Sequence, residues 1–410
     1  MLLLDGKTPK KSSFILIGLT FLYLLFVNAL DTHVPFTKSF HLFELLYLGM
    51  VLAIVVSQTI LKKELFVGEY LVLGMFTLLV LYGVISNQFL SYQGMKYAFL
   101  DCITLSKFII AYFFGRLLVE ETMINQIMLY LQNLVRGISI FLFAALALNL
   151  VMPLWPTYET RFGYTIQILI FSHATYLTST AIFCLLFLIF KRGKYDFIYI
   201  GINMVLIILA ARNKGLIFLA VYLFVLILQY LKKQTPIWSL IGISSILYFL
   251  FQNIISERLF STETAARSTL YNNGLLLANR YFPFGAGFGS YGSSASIKNY
   301  SSLYGELGFN QLYGFSEETT YYLTDSFIAM ILGQFGYLGV FLLTGILISM
   351  FLLVRRNQKY QSFTLLLFIF IFISMITENF ISSSYGVLSF ALIGMLVNQE
   401  SEKNIQEELI

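Results

Sequence analysis

Polar and apolar positions along this chain fall in long blocks. Apolar runs of about 20 residues, the length a helix needs to cross a bilayer, follow one another with short polar turns between them. Read by hydropathy, the runs at 14–30, 41–61, 65–86, 97–118, 134–152, 164–190, 196–211, 215–231, 237–255, 325–354, 361–379 and 385–398 predict about twelve transmembrane helices. The short alternating segments of a β-barrel are absent, so the expected class is an all-α polytopic membrane protein. One interval breaks the rhythm. From Ser256 to Thr324 the chain is polar and rich in Tyr, Ser and Gly, which predicts a large external loop between the ninth and tenth spans. Loops of that length are usually functional. The expected organisation is a bundle over 1–255, a catalytic loop over 256–324, three more spans over 325–398 and a short acidic tail over 399–410.

Composition agrees with the pattern. The 410 residues are 58% hydrophobic and 11% charged, with a mean hydropathy of +0.79, more apolar surface than a soluble core uses. The net charge of +5 tracks topology and gives no sign of a nucleic-acid partner. Sixteen of the 26 Lys and Arg residues fall at the N-terminus, in alternate turns and in the tail. The positive-inside rule therefore places both termini in the cytoplasm and the 256–324 loop outside. The first apolar run, preceded by Lys10 and Lys11 and followed by Val27-Asn28-Ala29, also reads as a signal peptide; the span count balances with it retained. Cys102 and Cys184 both fall inside spans, where buried thiols are expected. The three histidines have no metal-ligand spacing.

Candidate chemistry gathers on the outer side. Arg212 and Lys214 lie in Ala210-Ala211-Arg212-Asn213-Lys214-Gly215, a tight turn between two short spans. They either snorkel to headgroups or hold a diphosphate, for which a guanidinium fork and an ammonium are suited. Arg161 occupies another outer turn. Within the long loop, Arg267 opens a short amphipathic helix, Arg267 to Tyr271, and Arg280 precedes Pro283-Phe284-Gly285-Ala286-Gly287-Phe288-Gly289. That glycine run lacks the strand and βαβ unit of a nucleotide fingerprint, but its amides could approach a ligand. The many Tyr and Phe from Tyr271 to Tyr322 suit interfacial anchoring and stacking on sugar rings equally. Asp325 reads as a helix N-cap or a general base. Asp101 and Lys107 in the fourth span suggest an intramembrane ion pair, and His173 and Glu378 fall near the level of Arg212.

The order of these residues resembles the O-antigen polymerase and ligase superfamily, the Wzy-type polymerases of surface polysaccharides and their lipid A-core ligase relatives. Arg212 in Ala-Arg-Asn-Lys-Gly is similar to that family's Ser-Arg-Gly-like element. Arg267 followed by Pro283 to Gly289 is similar to its Pro-x-x-Gly-x-Gly element. The helix opening Asp325-Ser326-Phe327, with Gly336 and Gly339, resembles the ligases' entry helix. Asp325 stands where the ligases carry His, which fits the polymerase side. The resemblance covers about residues 200–398.

What the resemblance implies is a glycosyltransferase of the bacterial cytoplasmic membrane. It joins oligosaccharide repeat units carried on undecaprenyl diphosphate and releases undecaprenyl diphosphate, with no cofactor and no metal. Asp325, Arg212 and Glu378 are then the expected catalytic residues. Lys214, Arg267, Arg280, Arg161 and His173 are the expected substrate-binding ones. Membrane lipid, a chain-length regulator and a flippase of the same pathway are the implied partners. A ligase, and a flippase or secondary transporter, remain the alternatives; the transporter reading lacks internal repeat symmetry.

Overall fold

The computed structural model describes residues 11–34, 37, 42–61, 64–119, 121–161, 163–191, 193–230, 262–356 and 358–397. The expected ninth span, the acidic tail, Lys7, Lys10 and Arg258 lie outside the described residues. The helices, in chain order, are α1 (Lys11–His33), α2 (Leu42–Leu61), α3 (Val67–Leu90), α4 (Met95–Leu118), α5 (Glu121–Val151), α6 (Ala174–Leu188), α7 (Asp196–Ala210), α8 (Asn213–Tyr230), α9 (Thr262–Arg280), the short α10 (Ser294–Lys298) and α11 (Ser302–Glu306), α12 (Phe327–Arg355), α13 (Gln361–Thr377) and α14 (Ser384–Leu396). A two-stranded antiparallel hairpin, β1 (Thr157–Arg161) and β2 (Tyr164–Gln167), is the only sheet among them.

Five of these helices are long and apolar enough to cross a membrane, and six shorter ones are apolar. Their outward faces are apolar too. Leu71, Leu78, Leu81 and Ile85 follow one stripe of α3 and are each more than half exposed, a surface that suits lipid rather than water. Inside, Leu24 and Leu25 of α1 are buried, and Leu25 O accepts a hydrogen bond from Tyr385 of α14. The first apolar run is thus a packed member of the bundle.

Two helices differ from their hydropathy outlines. The run 164–190 is not one span: 164–167 forms β2, a turn follows, and α6 begins only at Ala174 with His173 as its N-cap. Ile166, Ile168, Leu169 and Ile170 raise the hydropathy, but Ile166 is buried from β2, Ile168 and Leu169 are buried in the turn, and Ile170 is half-buried. At the other extreme, α5 starts at Glu121, well before the apolar run at 134. At its midpoint Arg136 grips Asp196 at 2.8 and 2.9 Å through two nitrogens.

The polar loop is a folded layer with its own core. The short helix expected at Arg267–Tyr271 is part of a 19-residue helix, α9, lying against α12. Over it, Tyr291, Tyr304 and Phe309 are fully buried with Leu270 and Leu277. Much of the aromatic density that suggested membrane anchors or sugar platforms is therefore interior packing. Tyr313 and Tyr321 stay mostly exposed.

The glycine run is wedged between this layer and the bundle. At Gly336, with φ +58° and ψ −157°, α12 kinks. A break in a helix leaves nearby carbonyls and amides without helical partners. Here the loop supplies them: Ala286 N donates to Gly333 O at 2.9 Å, Gly287 N to Gln334 O at 2.8 Å, and Leu338 N to Pro283 O at 3.1 Å. Gly289 N and Gln334 Nε2 both donate to Asp101 Oδ2 at 2.8 Å. At Gly287 (φ +88°) an added Cβ would lie 2.3 Å from Asn87 N, so glycine is required. Irregular backbone at membrane depth is tolerated when protein surrounds it in this way. Asp101 thus anchors the loop, while Lys107 lies over the Phe43 ring and within the field of Glu44; the two do not form the expected ion pair.

Candidate functional site

Beside that wedge, at the same end of the bundle, several helix ends meet. The turn joining α7 to α8 is only two residues, Ala211 and Arg212, and Ala211 takes a left-handed φ of +47° to make it. A turn this tight keeps Arg212 and Lys214 within the bundle rather than above it, and they are 8% and 4% exposed. Lys214 Nζ donates to Glu378 Oε1 at 2.6 Å and to Ser179 Oγ at 2.8 Å. Glu378 is the residue that ends α13, so this bond ties α6, α8 and α13 together. An Arg212 terminal nitrogen lies against the His173 imidazole, whose Nδ1 accepts from Thr175 N at 3.2 Å as the α6 N-cap.

The outer layer closes the other side. Arg267, on α9, faces Asp325 Oδ2 at 3.8 Å, beyond hydrogen-bonding reach. Its Nε is buried without a hydrogen-bond partner. One turn along, Tyr271 OH donates to Ile376 O at 3.2 Å, which docks α9 on the end of α13. Burial holds the Tyr271 phenol above its ordinary range, against opposing pulls from Ser326 and from the Arg267 charge, so it acts as a neutral donor. The N-cap of α12 is Ser326, whose Oγ accepts from Ala329 N at 3.3 Å. The capping role expected for Asp325 belongs to its neighbour, and the Asp325 carboxylate, about 29% exposed, turns to Arg267 instead.

The electrostatic balance follows from these positions. Arg212 and Arg267 both lie close enough to Lys214 for their charges to act on it. Three cations and two carboxylates leave one formal positive charge. The N-termini of α6, α8 and α12 meet here with the C-termini of α7 and α13, so their partial charges largely offset one another. The side-chain cations therefore set the sign of the site, and an anionic group fits it. Arg212 and Lys214 are buried, whereas Arg267, Glu378 and Asp325 are reachable, at 28%, 26% and 29% exposure.

Of the residues read from sequence, the structure brings together Arg212, Lys214, His173, Arg267, Asp325 and Glu378. Arg280 is elsewhere. It ends α9, about 20 Å along the helix from Arg267, and pairs with Glu306 at 3.3 Å on the surface. Arg161 pairs with Glu159 on β1; the hairpin itself is tied to the end of α7 by Tyr164, whose hydroxyl donates to Ile208 O at 2.5 Å. Ser179, Tyr176 and Tyr271 were not singled out beforehand. Thr178-Ser179-Thr180 is a polar run inside an apolar helix, a signal that could have found Ser179. Tyr176, which lies in the field of Glu378 and 6.5 Å from the His173 ring, had no such mark. Among the described residues no group of His, Cys, Asp and Glu could hold a metal ion. No family model matches the chain, and no curated protein matches it.

Proposed function

We propose that this protein is a polysaccharide polymerase that joins repeat units carried on undecaprenyl diphosphate at the outer face of a bacterial cytoplasmic membrane. In this reading the chain crosses the membrane about twelve times, both termini are cytoplasmic, and the layer carrying α9 to α11 is outside. The observation that carries the proposal is the gathering of Arg212, beside His173, with the pairs Lys214–Glu378 and Arg267–Asp325 at the loop end of an apolar bundle.

The chemistry assigns each residue a task. The acceptor sugar hydroxyl attacks the anomeric carbon of the donor chain, forming a C–O bond as the anomeric bond to diphosphate oxygen breaks. The departing diphosphate carries the developing charge, and preorganised cations at that position lower the barrier. Arg212, Lys214 and Arg267 do this. The hydroxyl proton goes to a carboxylate. Glu378 is held by Lys214 at 2.6 Å deep in the cluster, and Asp325 faces Arg267 at 3.8 Å at the mouth of α12. In this reading Asp325 is the general base, and Glu378 positions Lys214. No nucleotide sugar is needed, because the anomeric diphosphate supplies the energy.

The test is the length distribution of surface glycan in a deletion strain with and without the wild-type gene. Single repeat units in the deletion and a restored ladder on complementation support the polymerase. Long glycan stranded on its lipid carrier would make the protein a ligase. Repeat units that never reach the outer face would make it a flippase.

A further inference from the structure

The wedge that ties the outer layer to the bundle carries two phenylalanines on its outside. Phe282 is 71% exposed and Phe284 45%, a costly arrangement in water for rings of this size. Neither stands alone. The Phe282 ring lies 5.9 Å from that of Tyr337 on α12, and the Phe284 ring 5.7 Å from that of Tyr82 on α3. Below Tyr337, Phe341, Ile348 and Leu352 follow one face of α12 and are each more than half exposed. Tyr82 borders the apolar stripe of α3 that runs through Leu78, Leu81 and Ile85. The two rings therefore cap two lipid-facing stripes and continue their apolar surface.

Height decides what that surface meets. The start of α3 lies beside the end of α12, where Gly68 packs on Leu353 and where Arg355 and Arg356 mark a headgroup layer. From there Tyr82 stands about 23 Å up α3 and Tyr337 about 27 Å up α12, at 1.5 Å per residue. A hydrocarbon thickness of about 30 Å reaches both rings. Just beyond, the surface turns polar: Tyr337 OH donates to Asn279 Oδ1 at 2.7 Å, and Arg280 pairs with Glu306. Rings on one side, with hydroxyl, amide and guanidinium groups on the other, suit the bilayer boundary. Exposed aromatics elsewhere in the layer differ. Tyr313 and Tyr321 flank Glu317 and Glu318, exposed carboxylates that belong in water.

We propose that Phe282 and Phe284 insert into the leaflet at the loop end of the bundle and seat the outer layer on the membrane. Lipid is the occupant because this surface continues two stripes already turned to lipid. The Arg280–Glu306 pair beside it is neutral overall, so apolar insertion rather than headgroup charge holds it. The wedge is bonded to α12 at Gly333, Gln334 and Leu338, and it follows directly on α9, whose Tyr271 docks on the end of α13. Its depth therefore sets the height at which α9 presents Arg267 to Asp325. The inference needs a membrane-spanning bundle and does not depend on the reaction proposed above.

Nitroxide labels on the full-length protein test this, in vesicles of phosphatidylethanolamine and phosphatidylglycerol and in a background carrying Cys102→Ala and Cys184→Ala. Oxygen partitions into hydrocarbon and a nickel chelate stays in water, so the ratio of their collision rates with the label reports depth. Labels at Phe282→Cys and Phe284→Cys should give oxygen-to-nickel ratios several-fold above that at Tyr313→Cys and below that at Phe341→Cys. Phe282 and Tyr313 are both mostly exposed, so neither replacement removes packed core. Ratios at positions 282 and 284 equal to that at 313 would overturn the proposal. Dipolar broadening between labels at position 282 would overturn it too, by making a second copy of the chain the occupant. Stability gives a second readout: Phe282→Asp should lower the melting temperature of the vesicle-embedded protein more than Tyr313→Asp does, and equal shifts would count against insertion.

Discussion

Two polar regions sit side by side at the loop end of this bundle, and they are built on opposite principles. In the glycine run, Ala286 N, Gly287 N and Gly289 N, the Pro283 carbonyl and the Asp101 carboxylate all have partners inside the protein. In the cluster of Arg212, Lys214 and Arg267, like charges are held near one another and Arg267 meets its carboxylate only loosely. Pairing of this kind stabilises one conformation, and in the glycine-run region only Gln334 Oε1 and Asn87 Oδ1, among the described residues, are buried without a hydrogen-bond partner. A crowd of cations with accessible partners gains by binding an anion. The glycine-rich motif, which looks more like a ligand cradle in the sequence, is the structural element; the plainer turn at Arg212 belongs to the candidate site.

Substitutions break this comparison in a defined order. On the proposed function, Asp325→Asn removes the proton acceptor and should slow polymerisation by roughly 10²–10⁴-fold, read as repeat units joined per minute by membranes supplied with lipid-linked units. Arg212→Ala removes one of the cations proposed to hold the leaving group and should cost roughly 10²–10³-fold with the protein still present in the membrane. Gly287→Ala should act by another route. Its Cβ would press on Asn87 N at 2.3 Å in a left-handed conformation, costing about 2–4 kcal/mol. That should appear as a lower melting temperature and less protein in the membrane. Arg280→Ala, which breaks a surface pair with Glu306, should change stability by no more than about 1 kcal/mol and leave glycan length unaltered. A large activity loss at Arg280 with a small one at Arg212 would reverse the assignment of the two arginines.

The helical class and the positions of most helices were legible because hydropathy blocks report apolar length directly. Hydropathy does not see capping, so the β2 strand and the His173 cap were absorbed into one long run, and Ser326 lost its cap to Asp325. The site was legible in part. Buried cations in an apolar chain stand out, which marked Arg212 and Lys214. Arg267 and Arg280 have the same loop setting in the sequence, and only the 19-residue length of α9 separates them. Asp101 looked like half of an ion pair because Lys107 is nearby in sequence, yet its partners, Gly289 and Gln334, come from distant parts of the chain. The buried tyrosines of the outer layer share a composition with exposed ones, and no periodicity divides Tyr304 from Tyr313.

The most direct measurement compares surface glycan ladders from a deletion strain carrying either Arg212→Ala or Arg280→Ala, with the amount of each protein in the membrane measured alongside. The diphosphate-site account predicts single repeat units with Arg212→Ala and a full ladder with Arg280→Ala at equal protein levels. A full ladder with Arg212→Ala would contradict it.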